Sequence, residues 1–158
     1  MTNIRFQPGK FLIILSIFLF YAIYLVSPKI AYSMDSIKES NLMQRAYEFL
    51  NEGETEHALQ LYDEILRVNP IHIHALNYKG LALASLGNYE EAIQWYDKVL
   101  DINPTDLSAL NNKGVALYNL GYYEEAIQWY DKVLDIDPND SDAKYNKNIA
   151  LLSLNKSK

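Results

Sequence analysis

Tyr89 to Ile102 reads YEEAIQWYDKVLDI, and the same fourteen letters return without change at Tyr123 to Ile136, thirty-four positions later. Extending the comparison outward, 73–106 and 107–140 agree at 25 of 34 positions, and each copy closes on a proline, Pro104 and Pro138. One more step of 34 reaches Pro70, and 39–72 keeps 10 of 34 letters of its neighbour, among them Leu42, Gly53, Ala58, Tyr62, Asp63 and Leu66. Three units are present, the first diverged. A period between about 20 and 50 residues marks a stacked-repeat architecture, in which a single unit cannot bury its apolar face and neighbours must share one interior.

Within a unit, apolar residues recur by threes and fours in two runs, in the second copy Leu76, Leu83 and Leu86, then Ala92, Ile93, Tyr96, Val99 and Leu100. Each unit is therefore predicted to be a helical hairpin. Gly87 and Gly121 follow the first helix, where a residue that tolerates positive φ ends a helix at little cost. Asn88 is expected to cap the second helix in a capping box with Glu91, which its counterpart Tyr122 cannot do. Pro104 and Pro138 stop the second helix, because proline lacks the N–H that continuation needs. Gly80 and Gly114 fall inside the first helix, where glycine costs about 1 kcal/mol relative to alanine. The expected compensation is a close approach by the paired helix, with Ala92 or Ala126 opposite.

These positions resemble the tetratricopeptide repeat family, whose 34-residue unit carries a small residue at its eighth and twentieth positions, an aromatic at its twenty-fourth and proline at its thirty-second. Gly80, Ala92, Tyr96 and Pro104 fill them in the second unit, Gly114, Ala126, Tyr130 and Pro138 in the third, and Ala46, Ala58, Tyr62 and Pro70 in the first. The fourth-position aromatic of the family is leucine throughout, at Leu42, Leu76 and Leu110. The resemblance implies an all-α solenoid of three hairpins, 39–72, 73–106 and 107–140. A capping helix and polar tail follow over 141–158, rich in lysine and asparagine as a solvated solenoid end requires.

Ahead of the repeats, 11–26 is apolar but for Ser16, with Arg5 and Lys10 before it and Lys29 after it. As a helix, at about 1.5 Å per residue, it spans about 24 Å against a hydrocarbon layer of about 30 Å. Residues 1–33 read as a signal peptide, with Ala31 and Ser33 at −3 and −1 of a cut before Met34, or as a retained signal anchor; 34–38 reads as a linker. Either way the basic N-terminal flank is expected to stay cytoplasmic and the repeats to lie outside, secreted or membrane-anchored by a single pass.

The chain's net charge of −6 conceals a more acidic body, since Arg5, Lys10 and Lys29 precede Met34 and all 20 acidic residues follow it. Such a body repels a phosphate backbone, so nucleic acid is not the expected partner. With no cysteine there is no disulfide, thiolate metal site or cysteine nucleophile. His72 and His74 point apart on a helix, and His57 stands alone in an acidic helix start, so no metal site is expected. Glu90, Glu91, Glu124 and Glu125 are paired carboxylates that open helices, where negative charge is favoured. No phosphate loop or nucleophile elbow occurs. No cofactor and no catalytic residue is expected, and the chain reads as non-enzymatic.

The resemblance further implies that the first helices line a groove for a partner's peptide or helix. By register these residues are Tyr47, Asn77, Leu81, Ala84, Asn111, Val115, Tyr118 and Ile149, with Met43, Leu50 and Tyr145 beside them. Side-chain amides suit a peptide backbone and apolar residues make pockets. Some family members hold acidic chaperone tails in a clamp of lysine, arginine and asparagine. Here the asparagines are kept but groove-facing basic residues are missing, and Lys79 and Lys113 are expected to face elsewhere, so the expected ligand is neutral or basic. A second surface, Leu61, Trp95 and Trp129, turns away from the core tyrosines and reads either as an exposed convex patch or as cover for the seams between repeats. The alternative function is a self-assembling, envelope-associated component that multimerises through that tryptophan edge or end to end.

Overall fold

The structure, a computed structural model, describes residues 36–157; the leader over 1–33, the first two residues of the expected linker and Lys158 lie outside the described residues. Residues 42–158 form one compact unit. The described residues are helical apart from short turns: α1 over 36–51, α2 Thr55–Val68, α3 Ile73–Ser85, α4 Tyr89–Ile102, α5 Leu107–Asn119, α6 Tyr123–Ile136 and α7 Ser141–Lys156. Residues 36–38, expected in a linker, are helical. Successive helices from α2 to α7 pack on one another, and the first helices also touch across units, α3 with α5 and α5 with α7. This is the expected stack of hairpins, with α7 in the register of a further first helix.

Each hairpin turns at a glycine in the left-handed region, Gly53, Gly87 and Gly121, with φ of 80°, 82° and 83°. After Gly87 the chain folds back so that Asn88 N–H donates to the Leu83 carbonyl at 3.0 Å, and Tyr122 N–H to Leu117 at 2.9 Å. That tight return sets the residue before the second helix near ψ 60°, at Glu54, Asn88 and Tyr122 alike. The expected capping box at Asn88 is therefore absent: its side chain makes no cap hydrogen bond, because the turn holds it away from the extended backbone that capping uses. Capping falls instead on the first helices. His72, Asp106 and Asp140 each accept from the backbone N–H three residues on, at 3.0, 2.9 and 2.7 Å.

The interior repeats with the sequence. Tyr62, Tyr96 and Tyr130 are fully buried with Ile65, Val99 and Val133 beneath them and Leu76 and Leu110 between hairpins. Burial of one such aliphatic side chain is worth about 1.5–3 kcal/mol, so the shared interior rather than any one hairpin carries the stability. Gly80 and Gly114 do face a helix too close for a Cβ, but the partner is not Ala92 or Ala126. A Cβ on Gly80 would meet Tyr96 Cε1 at 2.5 Å, and one on Gly114 would meet Tyr130 Cε1 at the same distance. The aromatic ring fills the space a Cβ would need, and the alanine four residues earlier is buried without being the closest neighbour.

Between hairpins runs a polar rung. Lys79 donates to Asp63, Lys113 to Asp97, and Lys147 to Asp131 at 2.5 Å, each linking a first helix to the second helix of the unit before. Lys79 is 8% exposed, so its charge is held within the seam. Its ammonium also lies 3.9 Å from the Trp95 ring centre while Lys98 covers that ring at 3.5 Å; Lys113 and Lys132 flank Trp129 at 4.0 and 3.5 Å. Leu61, Trp95 and Trp129 are accordingly half-buried, packed against the core clusters.

Candidate protein-binding groove

The wall made by the first helices carries two clefts. One, of about 580 Å³, is lined by Tyr47, Leu50, Asn51, Gly53, Thr55, Tyr78, Leu81 and Ser85. The other, of about 260 Å³, lies between α3 and α5 and is lined by His74, Asn77, Tyr78, Leu81, Ser108 and Asn112. They share Tyr78 and Leu81, so they are neighbouring parts of one trough that crosses three units. Neither lining contains a lysine or arginine.

Tyr47 and Leu81 are 47% and 39% exposed, large apolar side chains that a folded chain leaves open at this wall. Tyr78 links the trough to the core: its ring meets Tyr47 edge-on at 5.8 Å and stacks on Tyr62 at 6.2 Å. The sequence reading passed over Tyr78 because its register holds glutamine or asparagine in the other units, at Gln44, Asn112 and Asn146. Its signal was the aromatic spacing Tyr47, Tyr62, Tyr78 rather than repetition. Burial with two tyrosine neighbours pushes the Tyr62 hydroxyl up to about 12, chiefly through desolvation.

The expected groove residues divide into two groups. Tyr47, Asn77 and Leu81 line the clefts. Ala84, Asn111, Val115 and Tyr118 are half-buried on α3 and α5, and Ile149 is half-buried on α7. Asn77 and Asn111, equivalent by register, make different bonds. Asn111 Oδ1 accepts from Asn146 at 3.1 Å, which ties α5 to α7, and Tyr118 and Ser153 hydroxyls meet at 3.1 Å between the same two helices. Asn77 instead donates to the Asp106 carboxylate at 3.2 Å, its own buried Oδ1 has no hydrogen-bond partner among the described residues, and Asn112 stands on the cleft wall. The α5/α7 seam is thus bridged where the α3/α5 seam stays open. Tyr145, at 67% exposure, extends the apolar surface onto α7.

The histidines do not assemble: His57 pairs with Glu54 at 2.8 Å, His72 caps α3, and His74 lines the smaller cleft. Among the described residues no group of three or more histidines or carboxylates is placed to hold a metal ion, and no helix is long and apolar enough to cross a membrane.

Two family models, both described as tetratricopeptide repeat, match residues 43–107 and 83–148. Comparison with curated proteins returns no match. Similar solved structures include the first TPR of Spaghetti (RPAP3) bound to HSP90 peptide SRMEEVD, 21% identical, with a TM-score of 0.71 over 75% of this chain and 94% of that one. The second TPR domain of human RPAP3, in complex with HSP70 peptide SGPTIEEVD, is 23% identical, with a TM-score of 0.67 over 75% of this chain and 96% of that one. At these identities the likeness is one of fold. A tetratricopeptide repeat protein from Parabacteroides merdae is 30% identical with a TM-score of 0.67 over 73% of this chain, which spans 45% of that longer chain.

Proposed function

This chain belongs to the tetratricopeptide repeat family, and from that premise we propose that it is a non-enzymatic scaffold that holds a segment of a partner protein in the trough along its first helices. The observation that carries the reading is the pair of clefts sharing Tyr78 and Leu81, lined by exposed apolar and amide side chains on helices that the shared interior fixes. Apolar pockets beside amides suit an extended or helical segment, which presents alternating side chains and backbone polar groups.

A neutral or basic segment fits this trough better than an acidic one. The peptides in the two RPAP3 structures, SRMEEVD and SGPTIEEVD, end in acidic residues. In the present chain Lys79, Lys113 and Lys147 are committed to Asp63, Asp97 and Asp131, and Lys98 and Lys132 lie over tryptophans, all away from the cleft linings. The net charge of −6 adds a field that repels carboxylates. The apolar leader supports export to, or tethering at, the outer face of a membrane. Affinity capture from the native membrane fraction with the full chain and with Leu81→Ser tests the reading. Partners recovered by the wild type and lost with Leu81→Ser support it; identical recoveries from both overturn it.

A further inference from the structure

We infer that the trough holds a proline-rich segment of a partner in the polyproline II conformation, with residues three apart in that segment entering the two clefts. This rests on the groove reading above and adds the conformation and chemistry of the occupant.

The linings set the chemistry. Neither cleft is lined by an aspartate, glutamate, lysine or arginine, so charge complementarity asks for an uncharged segment. Tyr47 and Tyr78 both line the larger cleft, their rings 5.8 Å apart at 76°. Tyr78 is fixed by stacking on the fully buried Tyr62, so the aromatic wall is formed before any ligand arrives. The polar groups beside the rings are uncharged, Asn51 and Ser85 in the larger cleft, Ser108 and Asn112 in the smaller. Such a wall matches a proline-rich segment. The pyrrolidine ring is apolar and has no N–H to satisfy, while the solvated carbonyls of a polyproline II chain accept from amide and hydroxyl donors.

The spacing selects the conformation. The clefts lie on either side of α3, the larger against α1 and the smaller against α5. Packed helices sit about 8–10 Å apart, so the clefts are offset by about that distance. Polyproline II rises about 3.1 Å per residue with three residues per turn, which returns residues i and i+3 to one side about 9.3 Å apart. A strand repeats its face about every 6.8 Å, and a helix places i+4 about 6 Å and i+7 about 10.5 Å along its axis. Of these repeats only the polyproline II turn falls within the cleft spacing. Beyond the smaller cleft the α5/α7 seam is bridged by Asn111 with Asn146 and by Tyr118 with Ser153, so the segment is expected to span two clefts and no more.

Fluorescence anisotropy with the full chain and labelled decaproline tests this, against two uncharged comparison peptides, a helix-forming Ala/Leu/Gln sequence and an extended Thr/Val/Gln sequence. Decaproline is expected to bind about tenfold or more tighter than either. Tyr47→Ala, which removes an exposed ring and leaves the interior intact, and Tyr78→Gln, which installs the residue found at this register in the first unit, should each weaken decaproline about tenfold or more. Leu81→Ser should weaken it too, whereas Tyr47→Phe, which keeps the ring, should not. Decaproline affinity unmoved by Tyr47→Ala and Tyr78→Gln overturns the inference. Tighter binding of the helical or extended peptide, lost with Leu81→Ser, also overturns it and leaves the groove standing. If none of the three binds, the inference falls, and the groove reading is decided separately by partner capture with Leu81→Ser.

Discussion

The ring of Tyr96 occupies the space where a side chain on Gly80 would begin, 2.5 Å from the ideal Cβ position. Alanine at that site gains about 1 kcal/mol of helix propensity but must displace a ring that is itself fully buried. Overpacking of this kind costs about 1–3 kcal/mol, so Gly80→Ala is expected to be net destabilising, unlike most glycine-to-alanine changes inside helices. The first unit carries alanine at this register, Ala46, with a tyrosine at the register of Tyr96, Tyr62, so a shift of the ring sets an upper bound on the cost. Urea unfolding of the wild type and Gly80→Ala checks the sign.

The rung between Lys79 and Asp63 is unequal in burial: the lysine side chain is 11% exposed and the aspartate 62%. Removing the lysine returns Asp63 to water, whereas removing the aspartate strands an ammonium in the seam against the Trp95 ring. Asp63→Ala is therefore expected to cost about 2 kcal/mol and Lys79→Met about 1 kcal/mol or less. Equal costs in paired unfolding curves would contradict the seam geometry.

Three core tyrosines resist ionisation. Burial raises Tyr62 to about 12 and pushes Tyr96 and Tyr130 up as well, desolvation being the largest cause in each. In the unfolded chain these hydroxyls lose their protons near pH 10, so above that value the unfolded state binds fewer protons than the folded one. Stability is then unaffected below about pH 10 and falls as pH rises towards 12, by up to about 1.4 kcal/mol per pH unit for each tyrosine. A pH series of melting temperatures should show a steep alkaline limb.

The Tyr62 hydroxyl is buried without a hydrogen-bond partner among the described residues. An orphaned hydroxyl costs about 1–3 kcal/mol of desolvation, and phenylalanine keeps the ring stacked on Tyr78. Tyr62→Phe is expected to leave stability unchanged or raise it by about 1 kcal/mol, and to flatten the alkaline limb. A loss greater than about 1 kcal/mol on urea unfolding would show that the hydroxyl is bonded.

Much of this was legible in the sequence because the repeat writes its own register. Hairpin boundaries, the left-handed glycines and the buried tyrosines follow from spacing alone. The rung was also legible, as an aspartate and a lysine sixteen residues apart at 63/79, 97/113 and 131/147, but a charged pair reads as surface until burial is known. The cap at Asn88 was misread because residue type was considered without the backbone angle that the Gly87 turn imposes. Asn77 and Asn111 could not be told apart, because their surroundings repeat as well: Asp106 and Asn112 stand to one as Asp140 and Asn146 stand to the other, and only the hydrogen bonds that each makes separate them.

The most direct test of the central claim is site-specific photocrosslinking in cells, with the crosslinker at Leu81 on the trough and, for comparison, at Gln94, exposed on the second helix of the same hairpin. A defined protein adduct from position 81 and none from position 94 is the predicted result. Adducts from position 94 alone, or the same adducts from both, would contradict it.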